Sequence, residues 1–200
     1  MEQISYYVNA AAFGAVVVLW FIFAGIFLTR KKPDTTPDKV KAPRSWVGLI
    51  LQSVSYPIVW IFRRSPVFSP IVDGQYILNI VLQVLAVLLA IWSVWIVMSA
   101  IKELGKQWSL QARVLEDHKL ITSGVYHIVR HPIYTGMFGL LVATGITLSN
   151  WMAVVAGMIV LTVGTKIRTN FEEELLHNAF GAEFDDWKAS VPALIPFVKI

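Results

Sequence analysis

The chain has 200 residues, of which 56% are hydrophobic and only 15% are charged. A soluble domain of this size must cover its surface with more charge, so the composition excludes a soluble fold and fits a lipid bilayer. The formal net charge of +4 does not indicate a nucleic-acid partner, because the basic residues stand in short blocks beside apolar segments, where anionic lipid headgroups would meet them. With no cysteine, the chain has neither a disulfide nor a cysteine nucleophile or metal ligand.

Five apolar segments predict transmembrane helices, since a spanning helix needs about 20 mostly apolar residues. The first and third segments contain no charged residue, whereas the second is interrupted by polar residues and Pro57, which a kinked helix packed against its neighbours would accommodate. The fourth and fifth are rich in small residues and are separated only by Ser149 and Asn150, which predicts a tight antiparallel hairpin. The predicted spans are residues 8–28, 46–62, 76–100, 133–148 and 151–167.

The basic residues that flank these spans predict the orientation of the chain. Six Lys or Arg lie between the first and second spans, five between the third and fourth, and four from Lys166 onward. Five spans place all of these on one side of the bilayer and only Arg63 and Arg64 on the other. Because short cytoplasmic loops retain the positive charge, we expect an outside N-terminus and a cytoplasmic C-terminus.

The sequence predicts an all-α integral membrane protein that forms one structural domain in two parts. Residues 1–103 would carry the first three helices and a cytoplasmic linker at 30–45, where three prolines and mixed charge are typical of a mobile segment. Residues 104–200 would form a core with the last two helices and a cytoplasmic helical segment at the C-terminus.

The first polar cluster spans residues 124–136, Gly-Val-Tyr-His-Ile-Val-Arg-His-Pro-Ile-Tyr-Thr-Gly. Pro132 at the start of the fourth helix leaves free backbone donors at a positive helix end, beside Arg130 and His131, which predicts an anion site. The alternative is that Arg130 is one more cytoplasmic charge and Tyr134 an interfacial aromatic residue. His127 and His131 have helical spacing, but Pro132 interrupts that helix, and we expect no metal.

The second cluster begins at Arg168 and includes the acids at 172–174. No helix breaker intervenes before Gly181, so the fifth helix is predicted to continue past the membrane and end there. Arg168 and Glu172 share one helix face, where they would be either an ordinary surface ion pair or the partners of the first cluster.

These residues resemble the isoprenylcysteine carboxyl methyltransferase family, whose relatives include membrane phospholipid N-methyltransferases. The resemblance runs from about Leu104 to Phe197, and the combination of Arg-His-Pro-x-Tyr with the acidic pair and Phe-Gly carries it. Its elements are Gln111, His118-Lys-Leu-Ile121, Gly124-Val-Tyr126, Arg130-His-Pro-Ile133-Tyr134, Arg168, Glu172-Glu173, Phe180-Gly181-Ala-Glu-Phe184 and Leu194-Ile-Pro-Phe197.

The resemblance implies S-adenosylmethionine as methyl donor, with S-adenosylhomocysteine as product, in a pocket closed by the C-terminal segment. It implies a lipidic or prenylated acceptor that enters from the membrane, a catalytic pair of Arg168 and Glu172, and substrate contacts from Arg168 and Tyr134. The implied cofactor-binding residues are Gln111, His118, Lys119, Leu120, Ile121, Tyr126, Arg130, His131, Pro132, Ile133 and Glu172.

The chemistry of these residues agrees with a methyl donor that carries a carboxylate, an ammonium, a purine and a sulfonium. An ionised carboxylate acceptor needs only positioning and exclusion of water, whereas an amine or thiol acceptor also needs a base.

Two alternative functions remain open. Sterol-reductase relatives that use a reduced nicotinamide cofactor carry a similar Arg-His-Pro-x-Tyr element, and a non-catalytic membrane scaffold would need no cofactor.

Overall fold

The computed structural model describes residues 1–29, 38–42, 44–110, 112–115 and 118–198. Five long helices form a bundle, and a short sixth helix follows the fifth. The helices are α1 (Glu2–Leu28), α2 (Ser45–Ile61), α3 (Tyr76–Leu104), α4 (Pro132–Leu148), α5 (Trp151–Phe180) and α6 (Ala182–Ser190). In the described part of the chain, three helical stretches are long and apolar enough to cross a membrane, and α2 and α4 are shorter apolar helices; the long stretches are Glu2–Leu28, Tyr76–Gln107 and Trp151–Phe180.

The helices of the bundle turn their polar side chains inward and many large apolar ones outward. Asn9, Gln52 and Gln83 are at most 1% exposed, whereas Phe21 is 75% and Ile77 70% exposed. This pattern is the reverse of a soluble bundle and suits a lipid environment, where polar side chains must find partners between helices.

One end of the bundle gathers the start of α1, the α2–α3 loop and the α4–α5 turn. The Asn79 amide donates to Ser5 Oγ and Asn9 Oδ1 at 2.7 Å each, which joins α3 to α1. Arg64 donates to three carbonyls at the end of α4, at 2.9 to 3.1 Å; these belong to Ile146, Thr147 and Ser149. Arg64 therefore supplies hydrogen bonds to the carbonyl groups at the end of α4 that have no partner within the helix. This role explains a basic residue at the end of the bundle that has little positive charge.

The prediction of an all-α fold is confirmed, and the opposite end of the bundle adds a two-stranded antiparallel ladder that the sequence did not predict. Strand β1 (Asp38–Lys41) pairs with β2 (Arg113–Leu115), so part of the segment predicted to be a mobile linker is ordered. Residues 30–37 of that linker lie outside the described residues. Hydropathy periodicity does not reveal such a ladder, because it satisfies backbone groups of two short segments that are far apart in the chain.

Helix α2 packs closely along α5 and lies next to Arg168. A β-carbon added at Gly48 would lie 2.6 Å from the Gly164 carbonyl oxygen and 2.6 Å from Arg168 Cγ. Gln52 Nε2 also donates to Thr165 Oγ1 at 3.0 Å across this interface. The close approach of the two backbones therefore places α2 against the part of α5 that bears the second polar cluster.

The predicted extension of the fifth helix is confirmed. Helix α5 runs without interruption from Trp151 to Phe180 and ends at Gly181, whose φ of 56° favours glycine. Asn150 begins the helix by accepting a hydrogen bond from the Ala153 amide at 2.9 Å. The length of α5 carries Glu172 and Glu173 beyond its apolar part to the polar end of the bundle.

Candidate active site

A cavity of about 470 Å³ lies at the polar end of the bundle and extends between α1, α2 and α4. The start of α4, the short 3-10 helix Gly124–His127 and the outer part of α5 form its polar wall. Eleven predicted site residues line this cavity: His118, Leu120, Ile121, Tyr126, Arg130, His131, Pro132, Ile133, Tyr134, Arg168 and Glu172. The two clusters identified in the sequence therefore meet at one cavity.

Glu172 is the centre of one hydrogen-bonded group in the cavity wall. Arg168 Nη2 donates to Glu172 Oε1 at 3.1 Å, and the Tyr134 hydroxyl also donates to this carboxylate. Arg168 Nε donates to the Tyr134 hydroxyl at 2.6 Å, and His131 Nδ1 lies 3.6 Å from Glu172 Oε2. Because the side chain of Arg168 is only 6% exposed, this pair differs from the solvated surface pair that was the alternative interpretation.

Arg168 retains donor capacity. Its Nη2 donates to the Leu110 carbonyl at 2.9 Å in addition to Glu172. Its Nη1 is buried and has no hydrogen-bond partner among the described residues. Leaving a buried donor unpaired costs about 1 to 3 kcal/mol. An anionic group that displaced neighbouring side chains and accepted a hydrogen bond from Nη1 would remove this cost, which would favour its binding.

Glu173 is the centre of a second group of charges. Its Oε1 accepts from Arg130 Nε at 3.1 Å, from Arg130 Nη2 at 3.0 Å and contacts His131 Nε2 at 3.1 Å. Its Oε2 lies 2.7 Å from Lys188 Nζ of α6. The sequence predicted an anion site at the start of α4, and the anion that the structure places there is this carboxylate of the same chain.

The segment after α6 is bound to the start of α4. Arg130 Nη1 donates to the carbonyls of Lys188 and Val191. The backbone amide of Arg130 donates to the Pro192 carbonyl at 2.8 Å, and that of His131 to Ala193 at 2.9 Å. All three guanidinium nitrogens of Arg130 therefore have protein partners, and they hold the C-terminal segment beside the cavity.

His131 is buried between the two carboxylates. Burial opposes its charged form, but hydrogen bonds and charge attraction from Glu172 and Glu173 prevail and raise the pKa of His131 above its ordinary value of 6.5. The two carboxylates therefore favour the charged imidazolium of His131 over the neutral ring.

This raised pKa predicts a pH-dependent contribution of His131 to stability. A folded-state pKa above the unfolded value adds stability that is fully present below the ordinary pKa and is lost as the pH rises through the raised pKa. We expect the difference in Tm between the wild type and His131→Gln to be largest near pH ~6 and to shrink toward pH ~9. Thermal unfolding in detergent across this range measures it.

His177 provides the matched control for this titration. It lies 2.9 Å from Asp185 at the surface, and both side chains are more than half exposed. His177→Gln should leave Tm nearly unchanged at every pH. A Tm difference for His131→Gln that grew with pH would contradict the charged state assigned to His131.

Two predicted cofactor residues are not placed at the cavity wall. Lys119 does not belong to the lining, although its backbone amide donates to Gln107 Oε1 at 2.5 Å. Gln111 lies outside the described residues. These two assignments stay predictions.

Sequence reasoning missed the mostly apolar part of the cavity wall that is formed by helices outside the two polar clusters. Helices α1 and α2 contribute several residues to it, and α6 contributes Trp187; the residues from α1 and α2 are Phe23, Phe27, Leu49, Gln52, Ser53 and Tyr56. The only signal was the helical spacing of Phe23 and Phe27, which fits an ordinary helix contact equally well.

The fold and the cavity define a class: an integral membrane helical bundle with a buried charged site where the apolar helices reach their polar end. Residues 81–183 match the family model described as phospholipid methyltransferase. The chain belongs to this family. The match begins within α3 and therefore earlier in the chain than the motif resemblance, which begins at about Leu104.

Two curated relatives that the chain resembles are isoprenylcysteine methyltransferases. The chain is 36% identical over 90 residues to protein-S-isoprenylcysteine O-methyltransferase B of Arabidopsis thaliana, covering 45% of this chain and 46% of that protein. It is 37% identical over 90 residues to protein-S-isoprenylcysteine O-methyltransferase of Mus musculus, covering 45% of this chain and 32% of that protein. The chain thus matches less than half the length of these relatives, whose names favour the methyltransferase interpretation over the reductase alternative.

A solved structure extends the similarity into the first helices. The structure of the eukaryotic intramembrane Ras methyltransferase ICMT, isoprenylcysteine carboxyl methyltransferase, aligns with a TM-score of 0.55 at 25% identity. The alignment covers 79% of this chain and 54% of that protein. More of the bundle is therefore shared than the sequence motifs alone indicated.

Proposed function

We propose that the chain is an S-adenosylmethionine-dependent methyltransferase of the membrane that acts on a lipidic or hydrophobic acceptor, in particular the carboxylate of an isoprenylcysteine-like molecule. One observation carries this proposal: the buried guanidinium of Arg168, with Nη1 unpaired, adjoins Glu172 where the polar wall of the cavity meets its apolar wall. The polar wall could bind the reacting group of the acceptor, and the apolar wall could bind its hydrocarbon chain.

The cofactor side of this proposal uses the polar wall. S-adenosylmethionine would supply an electrophilic methyl group on a sulfonium. Glu172 provides the negative charge for the ammonium or sulfonium, and His131 and Tyr126 line the same wall. Arg130 contributes by holding Glu173 and the C-terminal segment in place. We also assign cofactor binding to the other family-motif residues. Five of them line the cavity, namely His118, Leu120, Ile121, Pro132 and Ile133. For Gln111 and Lys119 the assignment rests on the family motif alone.

The acceptor side uses Arg168 and Tyr134. Arg168 orients the acceptor carboxylate through charge-assisted hydrogen bonds, and Tyr134 fixes Arg168 through its hydroxyl. An ionised carboxylate is already a nucleophile, so this arrangement needs no general base. The C-terminal segment bound to Arg130 and His131 helps to exclude water from the site.

Purified protein in lipid nanodiscs, with radiolabelled S-adenosylmethionine, tests the activity. We expect label transfer to N-acetyl-S-prenylcysteines that is lost when the acceptor carboxylate is converted to an amide. Calorimetry should show binding of S-adenosylhomocysteine and not of a nicotinamide cofactor. Label transfer to a neutral lipid amine or a thiol, with none to the carboxylates, would replace the acceptor assigned to Arg168.

The proposal includes five membrane spans, an outside N-terminus and a cytoplasmic C-terminus. Single cysteines introduced at Gln3, Asp38 and Ser190 of this cysteine-free chain should react with an impermeant maleimide from outside, inside and inside, respectively. Permeabilised vesicles control for reactivity at each position. Labelling of Gln3 and Ser190 from the same side would exclude an odd number of spans.

We further propose that the two parts of the domain divide the work. Residues 104–200 would hold the cofactor and the reacting group, and residues 1–103 would contribute helices that select the acceptor. The supporting observation is that α1 and α2 supply apolar cavity residues, whereas the family motifs lie in the second part.

A further inference from the structure

Gln52 of α2 and Gln83 of α3 are polar side chains buried among apolar helices. Gln52 is 1% exposed, and Gln83 is fully buried. Since lipid tails offer no hydrogen bonds, such amides are stable in a membrane bundle when they pair between helices or line a polar cavity. Of these two glutamines, only Gln52 lines the cavity of the candidate active site.

Thr165 of α5 occupies one end of the Gln52 amide. Gln52 Nε2 donates to Thr165 Oγ1 at 3.0 Å, and this contact is buried. An amide oxygen can accept two hydrogen bonds, but Gln52 Oε1 accepts none from the described residues. Nor does it belong to the unpaired polar atoms that the protein encloses, whereas Gln83 Oε1 does. Gln52 therefore presents a free acceptor oxygen to the cavity.

Gln52 and Arg168 are neighbours in the cavity wall. Thr165, the partner of Gln52, precedes Arg168 by three residues on α5, which corresponds to a rise of about 4.5 Å. Gly48, one turn before Gln52 on α2, lies against Arg168, because a β-carbon added there would be 2.6 Å from Arg168 Cγ. The wall thus places a guanidinium and an uncharged acceptor oxygen about one helical turn apart, and both residues line the cavity.

An N-acylated cysteine matches this pair of groups. Its carboxylate and its amide N–H are attached to the same carbon atom, so they lie side by side. The thioether and the hydrocarbon chain of such a molecule have no donor hydrogen, which leaves the amide N–H as the donor next to the carboxylate. In an acceptor protein, this N–H belongs to the last peptide bond of the chain.

We propose that Gln52 Oε1 accepts a hydrogen bond from the amide N–H of the acceptor while Arg168 binds its carboxylate. This inference rests on the proposed function and names a second polar group that the site recognises. A single contact through the carboxylate leaves the acceptor free to turn about that group. The second contact fixes this rotation, and with it the direction from which the carboxylate oxygen approaches the methyl group.

The test compares two acceptors that differ only in this N–H. One is N-acetyl-S-farnesylcysteine, and the other is its ester isostere, in which an oxygen atom replaces the N–H. The wild type should methylate the amide with a kcat/KM about 3- to 10-fold higher, which corresponds to the usual net contribution of an uncharged hydrogen bond. Gln52→Met keeps the size of the side chain without the amide, so its amide-to-ester ratio should fall to about one.

Gln83→Met is the matched control, because it also removes a buried glutamine but at a position that does not line the cavity. This variant should keep the amide-to-ester ratio of the wild type. Affinity for S-adenosylhomocysteine reports the fold of both variants, and Gln52→Leu replaces Gln52→Met if the latter does not fold.

The two levels of the argument fail separately in this experiment. Equal kcat/KM values for amide and ester in the wild type, or an unchanged ratio in Gln52→Met, would overturn the role of Gln52 and leave the proposed function intact. Absence of methyl transfer from the wild type to either compound, with S-adenosylhomocysteine bound normally, would overturn the proposed acceptor and this inference together.

Discussion

Replacing Arg168 with Ala should reduce methyl transfer by about 10- to 1000-fold, because an acceptor carboxylate that is no longer paired loses both attraction and orientation. Glu172 would keep Tyr134 and His131 as partners, so we expect the Kd for S-adenosylhomocysteine to change by less than about tenfold. Radiolabel transfer and calorimetry on the same preparation measure the two effects. Arg168→Lys should recover only part of the activity, since an ammonium cannot bind Tyr134, Glu172 and the acceptor in the fixed geometry of a guanidinium.

Glu172→Gln should fail differently from Arg168→Ala. The amide keeps the shape of the side chain but removes the negative charge proposed to face the cofactor, so S-adenosylhomocysteine should bind more weakly by about 1.5 to 3 kcal/mol. Lys166, an exposed basic residue of the same helix, is the control for charge at the membrane surface. Lys166→Ala should change neither methyl transfer nor the affinity for S-adenosylhomocysteine.

Full methyl transfer by Arg168→Ala would remove the anchoring role of Arg168 and favour a neutral acceptor.

Replacing Glu173 with Ala should produce the largest loss of stability. Its carboxylate faces Arg130, His131 and Lys188, and Arg130 and His131 are 8% and 7% exposed. Removal of this anion leaves the buried guanidinium of Arg130 without a carboxylate partner, for which the usual cost is about 3 to 5 kcal/mol. It also removes the ion pair between Glu173 and Lys188 that ties α6 to α5. Thermal unfolding in detergent, followed by circular dichroism, should show a clearly lower Tm.

Glu174 provides the matched control, since it is the next residue on the same helix and is exposed. Glu174→Ala should leave Tm nearly unchanged. Double replacement of Glu173 and Arg130 should cost less than the sum of the single replacements, because the two residues stabilise each other. If the stability losses of the two single variants simply add in the double variant, the contact between Glu173 and Arg130 contributes little to stability.

The sequence alone was sufficient for the elements whose cause is local. Apolar length predicted the helices, and the absence of a breaker before Gly181 predicted the full length of α5. The observed boundaries differ mainly at the ends; α1 begins at Glu2, six residues before the predicted start, because polar residues at that end are buried between helices. The motif residues around Pro132 and Glu172 were recognised because each cluster is contiguous in the chain.

Only the tertiary structure decided which of these residues meet. Helical spacing put Arg168 and Glu172 on one face, but the assignment of Glu173 to Arg130 and Lys188 depends on how α5 passes α4 and α6. The pairing of β1 with β2 and the edge-to-face contact of Trp20 with Tyr56 likewise join segments that are distant in sequence. A helix that is apolar on every side carries no periodic signal for its neighbour, so packing between helices, and not hydropathy, determines the inner surface of this bundle.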